Sequence, residues 1–322
     1  MKKFIFIVVA LMTLTCNCSI AIAQGYPSKP VRIIVPFAVG GGNDVIARLL
    51  AVRLSQKWGQ PVLVENRIGV GGNIGIALVA KAPADGYTIL SVTNSLMINP
   101  SIYPDAGYDP VKDFEPVTMT ASSPNVLVVH PSFPAKNMKE LIDLVRANPN
   151  IYSIASAGTG TTSQLSIELF KQKLGLQMIN IPYNGASPAT LSVVSGTTQM
   201  TILVLPTAAA QVKGGLLRAL AVTSSTRQRA FPELPTMAEA GVPGQETLTI
   251  QGIFVPAGTP KAIIAKLHDD IVELLAEPEL RARISDLGFE VAGSTSEDFR
   301  VLVREEFSRW AKVIKAANIK VE

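Results

Sequence analysis

An apolar strand-like run, a glycine-rich polar loop and an amphipathic helix follow one another three times along this chain. In the first unit, residues 31–37 (Val-Arg-Ile-Ile-Val-Pro-Phe) lead through Ala38-Val39-Gly40-Gly41-Gly42-Asn43-Asp44 into a helix over residues 45–57. The second runs from Val62-Leu63-Val64 through Gly69-Val70-Gly71-Gly72-Asn73-Ile74-Gly75 to a helix over residues 77–81. The third runs from Tyr152-Ser153-Ile154-Ala155 through Ser156-Ala157-Gly158-Thr159-Gly160-Thr161-Thr162 to a helix over residues 163–174. Such alternation builds an α/β fold, a mostly parallel sheet flanked by helices. Each loop leaves the carboxyl end of a strand, where open α/β sheets hold their ligands. It also aims a helix N-terminus, with unpaired N–H groups and the positive end of the helix dipole, at one spot, which favours a small anion.

The rest of the chain extends this pattern. The first helix carries Val45, Leu49 and Val52 with Ile46 and Leu50 beside them, and Arg48 and Ser55 on the other side. Gly59 is placed to end it. A third strand over residues 87–92 ends in Thr93-Asn94-Ser95. Residues 99–115, with Tyr103 and Tyr108, lack periodicity and are expected to form a surface excursion. A second series starts at Val126 and adds a helix over 138–147, the loop Tyr183-Asn184-Gly185-Ala186-Ser187-Pro188, a strand over 200–205 and the turn Pro206-Thr207. Late elements are a strand over 249–255, a helix over 261–275 and a charged C-terminal helix over 296–317. Two series with late strands able to return to the first imply two lobes joined by crossing strands: residues 24–122 plus 250–322, and residues 123–249. Facing lobes would surround a ligand with the glycine-rich loops.

Lys2 and Lys3, an apolar run over residues 4–14 and Ala21-Ile22-Ala23 before Gln24 have the form of a cleavable export signal over residues 1–23. Cys16 and Cys18 both lie inside it, so the mature chain has no disulfide, thiolate nucleophile or zinc-thiolate site. The net charge of +4 falls to +2 once Lys2 and Lys3 are removed, and aromatics make up 6% of residues. That balance argues against a nucleic-acid partner and a base-stacking surface.

Nucleotide binding finds no support. No lysine follows Gly42, as a phosphate-binding loop needs, and Gly158-Thr159-Gly160-Thr161-Thr162-Ser163 has serine at the last dinucleotide-fingerprint position and no acid after the next strand. No Gly-x-Ser-x-Gly is present. The two histidines, His130 and His268, are too far apart in pattern to form a metal site, and no cofactor is implied. A secreted hydrolase would need Ser95 or Ser156 activated by His130. Asp44, at a helix start, suits either a ligand-facing or a loop-ordering role. Tyr183 offers an apolar wall and a donor at a strand end.

At these residues the sequence resembles the Bug or TctC-type periplasmic solute-binding receptors of tripartite tricarboxylate transporters, over the whole mature chain. The matching stretches are Tyr26-Pro27-Ser28-Lys29-Pro30-Val31-Arg32, residues 40–48, Glu65-Asn66-Arg67 with residues 71–75, Asp85-Gly86-Tyr87-Thr88, Val128-Val129-His130-Pro131, Leu234-Pro235-Thr236 and Pro256-Ala257-Gly258-Thr259-Pro260. The resemblance implies a monomeric, two-lobed, type II-like periplasmic binding protein, not an enzyme, that closes on a small carboxylated solute held largely by main-chain N–H groups and waters. It implies a cleft lined by Phe37, Gly40, Gly41, Gly42, Asn43 and Asp44, by Gly72 and Asn73, by Thr93, Asn94 and Ser95, by Gly158, Thr159, Gly160 and Thr161, and by Tyr183, Asn184 and Gly185. The implied partners are membrane permease subunits or, alternatively, a sensor kinase. Val39 and Ile68 stand where the family commonly has proline, and Thr197-Thr198-Gln199-Met200 stands where it often has Gln-Val-Asp-Met, which puts a contact of that acid in doubt.

Overall fold

The computed structural model describes residues 25–316. The export segment and residue 317 of the C-terminal helix lie outside the described residues. Ten strands form two sheets that share their longest member. In the first, the order is β2 (Val62–Asn66), β1 (Val31–Val35), β3 (Thr88–Thr93), β9 (Leu248–Pro256) and β4 (Phe114–Val129), with β10 (Glu290–Val291) on β4. In the second, β4 is followed by β7 (Met200–Val204), β5 (Ser153–Ser156) and β6 (Ile179–Pro182), with β8 (Arg218–Val222) also on β4. β1 pairs in parallel with β2 and β3, and β5 pairs in parallel with β6 and β7. The crossing strands are antiparallel: β4 pairs β9 from Phe114↔Pro256 to Pro124↔Leu248, and then from Asn125 onward pairs β7. Two register shifts along the β4–β9 pair bend and twist it, as bulges do. The sequence boundaries near residues 123 and 250 fall inside these two strands.

β1 is almost wholly buried, as a parallel strand covered on both faces must be. Helix α1 (Gly42–Trp58) packs on it through Ile46, Ala47, Leu50, Ala51 and Leu54, and Gly59 caps it at φ 63° in the left-handed region. The buried stripe is therefore rotated from the expected one: Val52 is 59% exposed. Apolar residues lie on more than one side of this helix, so packing against the sheet, not the local pattern, selects the buried face.

Residues 99–115 are a surface excursion only in part: Pro104, Asp105, Gly107, Val111 and Lys112 are exposed, whereas Asn99, Ile102, Ala106 and Phe114 are buried. Short helix α3 (Ser95–Ile98) leads into a turn whose Ile98 and Ile102 pack with Leu165, Trp310 and Ile314, and Phe114 is buried beside Tyr108. The turn at Ile102 is thereby folded under the C-terminal helix α10 (Ser296–Ala316). The other helices are α2 (Asn73–Ala80), α4 (Met138–Ala147), α5 (Thr162–Leu174), α6 (Ala186–Val194), α7 (Leu205–Lys213), α8 (Lys261–Ala276) and α9 (Pro278–Asp286). Pro206 begins α7 in its first turn, where its missing N–H costs nothing. Gln199 ties β5 to the turn before β7: its Oε1 accepts from the Ser153 N–H at 2.8 Å and the Ser153 hydroxyl at 2.9 Å.

Candidate functional site

Three of the glycine-rich loops come together where the lobes meet. The loop after β1 ends in the N-terminus of α1, the loop after β5 in that of α5, and the loop after β6 in that of α6. The first N–H groups of each helix have no intrahelical acceptor. At α1 the cap is Gly41 in extended conformation with no side-chain bond, so the first amides of this helix have no capping partner from it. At α5 the Thr161 side chain caps only the amide of Gln164. At α6 the cap is Gly185, at φ 132°, again with no side-chain bond. Gly185 allows close contact of the rims: the Ala38 N–H donates to the Asn184 carbonyl at 3.3 Å, and a Cβ on Gly185 would stand 3.1 Å from the Ala38 nitrogen.

These termini border a cavity of about 50 Å³ lined by Phe37, Gly41, Gly42, Asn43, Asp44 and Thr93 from the first lobe, and by Ala157, Thr161, Thr162, Ser163, Gly185, Ala186 and Val204 from the second. Asn125, Thr249 and Gln251 of the crossing strands close it from below. The space suffices for a few water-sized groups. Beyond Phe37, a second cavity of about 190 Å³ is lined by Pro36, Ile68, Gly69, Val70, Gly71, Gly72, Tyr103, Ala157, Gly158, Thr159, Pro182, Tyr183 and Asn184. No lysine, arginine or histidine lines either space.

Asp44 orders its loop. One carboxylate oxygen accepts from the Gly40 N–H and from Arg48 Nε, both at 2.9 Å, and the other accepts from Asn66 Nδ2 at 2.9 Å. Burial would push this carboxyl up, but Arg48, the Gly40 amide and Asn66 outweigh burial and hold it below its ordinary value. Asn43 is likewise engaged, donating to the Ser91 carbonyl at 2.6 Å and accepting from the Ser91 hydroxyl at 3.0 Å. The side chains of both residues are thus taken up by protein partners.

The expected site residues divide into three groups. Phe37, Gly41, Gly42, Asn43, Asp44, Thr93, Thr161 and Gly185 line the first cavity. Phe37 again, with Gly72, Gly158, Thr159, Tyr183 and Asn184, lines the second. Asn73, Asn94, Ser95 and Gly160 stand behind these walls, and Gly40 lies exposed at the rim. Asn94 bridges Glu306 and the Ile250 N–H, at 3.0 and 2.6 Å. Asn73 accepts from Asn99 at 2.7 Å, and Gly160 donates to Gln164 at 2.8 Å. Ser95 is buried and its carbonyl accepts from Tyr108. Gly40 meets the opposite rim, where an added Cβ would stand 3.1 Å from Ser187 Oγ.

Tyr103, expected on the surface, lines the second cavity, and its hydroxyl donates to the Thr159 carbonyl at 3.4 Å across the lobes. Asn125, Thr249 and Gln251 were not expected. A signal existed: Thr247, Thr249 and Gln251 put a polar residue at every second position entering an apolar strand, which marks one polar face.

Among the described residues no hydrogen bond joins His130 to Ser95 or Ser156. His130 Nδ1 is bonded to Ser132, two residues on, at 2.7 Å, and neither His130 nor His268 lines either of these two cavities. Among the described residues no group of three or more histidines, cysteines and carboxylates could hold a metal ion, and no helix is long and apolar enough to cross a membrane.

A profile of the tripartite tricarboxylate transporter family receptor, TctC, matches residues 46–319. Protein BugT of Bordetella pertussis is 35% identical over 302 residues, covering 93% of each chain. Among solved structures, Rpa4515 of R. palustris with adipate superposes with a TM-score of 0.89 at 38% identity, covering 92% of this chain and 99% of that one. MatC of Rhodopseudomonas palustris with bound malate gives 0.86 at 32%, covering 90% and 100%. A cavity bordered by three helix N-termini in an α/β fold and this breadth of sequence agreement lead to one assignment: the chain belongs to the TctC, or Bug, family of periplasmic solute-binding receptors.

Proposed function

We propose that this chain captures a small carboxylated solute in the periplasm, between a lobe of residues 24–122 with 250–322 and a lobe of residues 123–249, and delivers it to a tripartite tricarboxylate-type membrane transporter. The observation that carries this reading is the convergence of the N-termini of α1, α5 and α6 on one cavity that no cationic side chain lines. Such a cavity attracts an anion through amide donors and helix dipoles. Each terminus supplies about 0.3–1 kcal/mol when exposed and up to about 2 kcal/mol when partly buried. Hydrogen bonds to a charged partner add about 1.5–3 kcal/mol each. At the upper values three termini and direct bonds from Gly42, Asn43 and Asp44 give about 15 kcal/mol, which covers the ~8 kcal/mol of a micromolar complex with about 7 kcal/mol left for the cost of association.

In this reading a carboxylate docks on the first turn of α1. Thr161, Thr162 and Ala186 complete its shell from the second lobe, while Thr159 and Tyr183 close the rim. The second cavity takes the remainder of a longer solute. The adipate and malate named with two relatives support a carboxylate as guest. Isothermal titration of the purified mature chain against mono- and dicarboxylates and against neutral sugars tests the reading. Micromolar binding confined to carboxylates is expected; a tight neutral sugar and no carboxylate binder would overturn it.

A further inference from the structure

Gln251 is 1% exposed and lines the first cavity from β9, yet neither its Nε2 nor its Oε1 has a hydrogen-bond partner among the described residues. The polar groups around it are engaged with one another. The hydroxyls of Thr249 and Thr162 are bonded at 2.5 Å, Thr249 donates to Asn125 at 3.3 Å, and Asn125 donates to Thr247 at 3.1 Å. A buried primary amide has two donors and an acceptor to satisfy, and leaving them unpaired is costly. Its Nε2 lies beside the first turn of α1, 3.3 Å from where a Cβ on Gly42 would stand. The free amide thus adjoins the N–H groups assigned to the carboxylate.

We infer that Gln251 is a specificity-determining residue that reads a second polar group on the guest. Its Nε2 donates to a carboxylate oxygen, and its Oε1 accepts from a hydroxyl or amide N–H carried by the same molecule. A cationic ammonium finds no counter-charge there, because both oxygens of Asp44, the one acid lining the cavity, are engaged. The preferred solute class is therefore a hydroxy- or carbamoyl-substituted carboxylate over its unsubstituted analogue. This rests on the carboxylate reading above and narrows it.

Matched pairs test it: malate against succinate, lactate against propionate, and succinamate against butyrate, titrated calorimetrically into the mature chain. The substituted member of the pair that fits is expected to bind at least about tenfold more tightly, because its analogue leaves the buried acceptor unpaired. In Gln251→Met, of similar size without the hydrogen-bonding groups, that preference is expected to shrink to about threefold or less. The solute-free Gln251→Met variant is expected to melt no lower than the parent. A melting point several degrees lower with the preference intact would make Gln251 structural and overturn the inference. Equal affinities within every pair would overturn it while leaving carboxylate binding standing. No carboxylate binding at all would overturn both.

Discussion

Gly71 sits at φ 62° on the rim of the second cavity, and a Cβ there would stand 2.2 Å from the Thr159 carbonyl oxygen of the opposite lobe. Gly175, the C-cap of α5, has the same φ of 62°, with nothing within 4 Å of an added Cβ. Alanine at either position carries the left-handed backbone strain, about 1–2 kcal/mol. Only at Gly71 does it also strike the facing lobe. No Cβ approaches a backbone oxygen that closely, so the rims must separate by most of an ångström. That forfeits the Ala38–Asn184 and Tyr103–Thr159 hydrogen bonds across the lobes. At about 0.5–1.5 kcal/mol each, their loss amounts to about 1–3 kcal/mol. If solute binding requires the rims to meet, affinity falls about 5- to 150-fold in Gly71→Ala and is unchanged in Gly175→Ala. Calorimetric titration of both variants gives the affinities, and denaturant unfolding of the solute-free proteins checks that the strain is matched. Wild-type affinity in Gly71→Ala would refute the reasoning, because the rims would then not need to meet for binding.

Asp44→Asn removes the charge that holds Gly40, Arg48 and Asn66 together and is expected to cost about 2–3 kcal/mol in urea unfolding, together with solute affinity. Phe37 separates the two cavities; Phe37→Ala joins them and should raise relative affinity for adipate over malate about tenfold, read by competition titration. Glu65 is held at about 2, against an ordinary 4.5, chiefly by its hydrogen bonds to Arg32. A depressed carboxylate stabilises the fold above its ordinary value and loses that contribution as pH falls through the depressed one. Stability followed by urea unfolding should therefore decline less steeply between pH 4.5 and pH 2 in Glu65→Gln than in the parent. At Gly252 on β9 an added Cβ would lie 2.2 Å from the Phe299 ring, so Gly252→Ala should cost about 1–3 kcal/mol of stability, partly recovered by Phe299→Leu.

The alternation of strand, loop and helix was legible in the chain because it is written in local periodicity, and so were the loops that carry the helix N-termini. Gly41 to Asp44, Gly158 to Thr161 and Tyr183 to Gly185 could be picked out because several glycine-rich polar loops leave strand ends on one sheet edge, where the family resemblance also implied a cleft. Which of these residues face the cavity was a tertiary matter. Asn94 and Asn73 have the right composition but point into Glu306 and Asn99, partners that come from distant parts of the chain. Tyr103 reads as exposed until α10 folds over its segment and the second lobe brings Thr159 to its hydroxyl.

Gln251 makes the distinction plain. By itself the sequence determined that backbone donors gather at strand ends, since that follows from secondary structure alone. Only the docking of β9 beneath α1 decided that one buried amide stands unpartnered among them, because hydrogen-bond satisfaction depends on neighbours far apart in the chain.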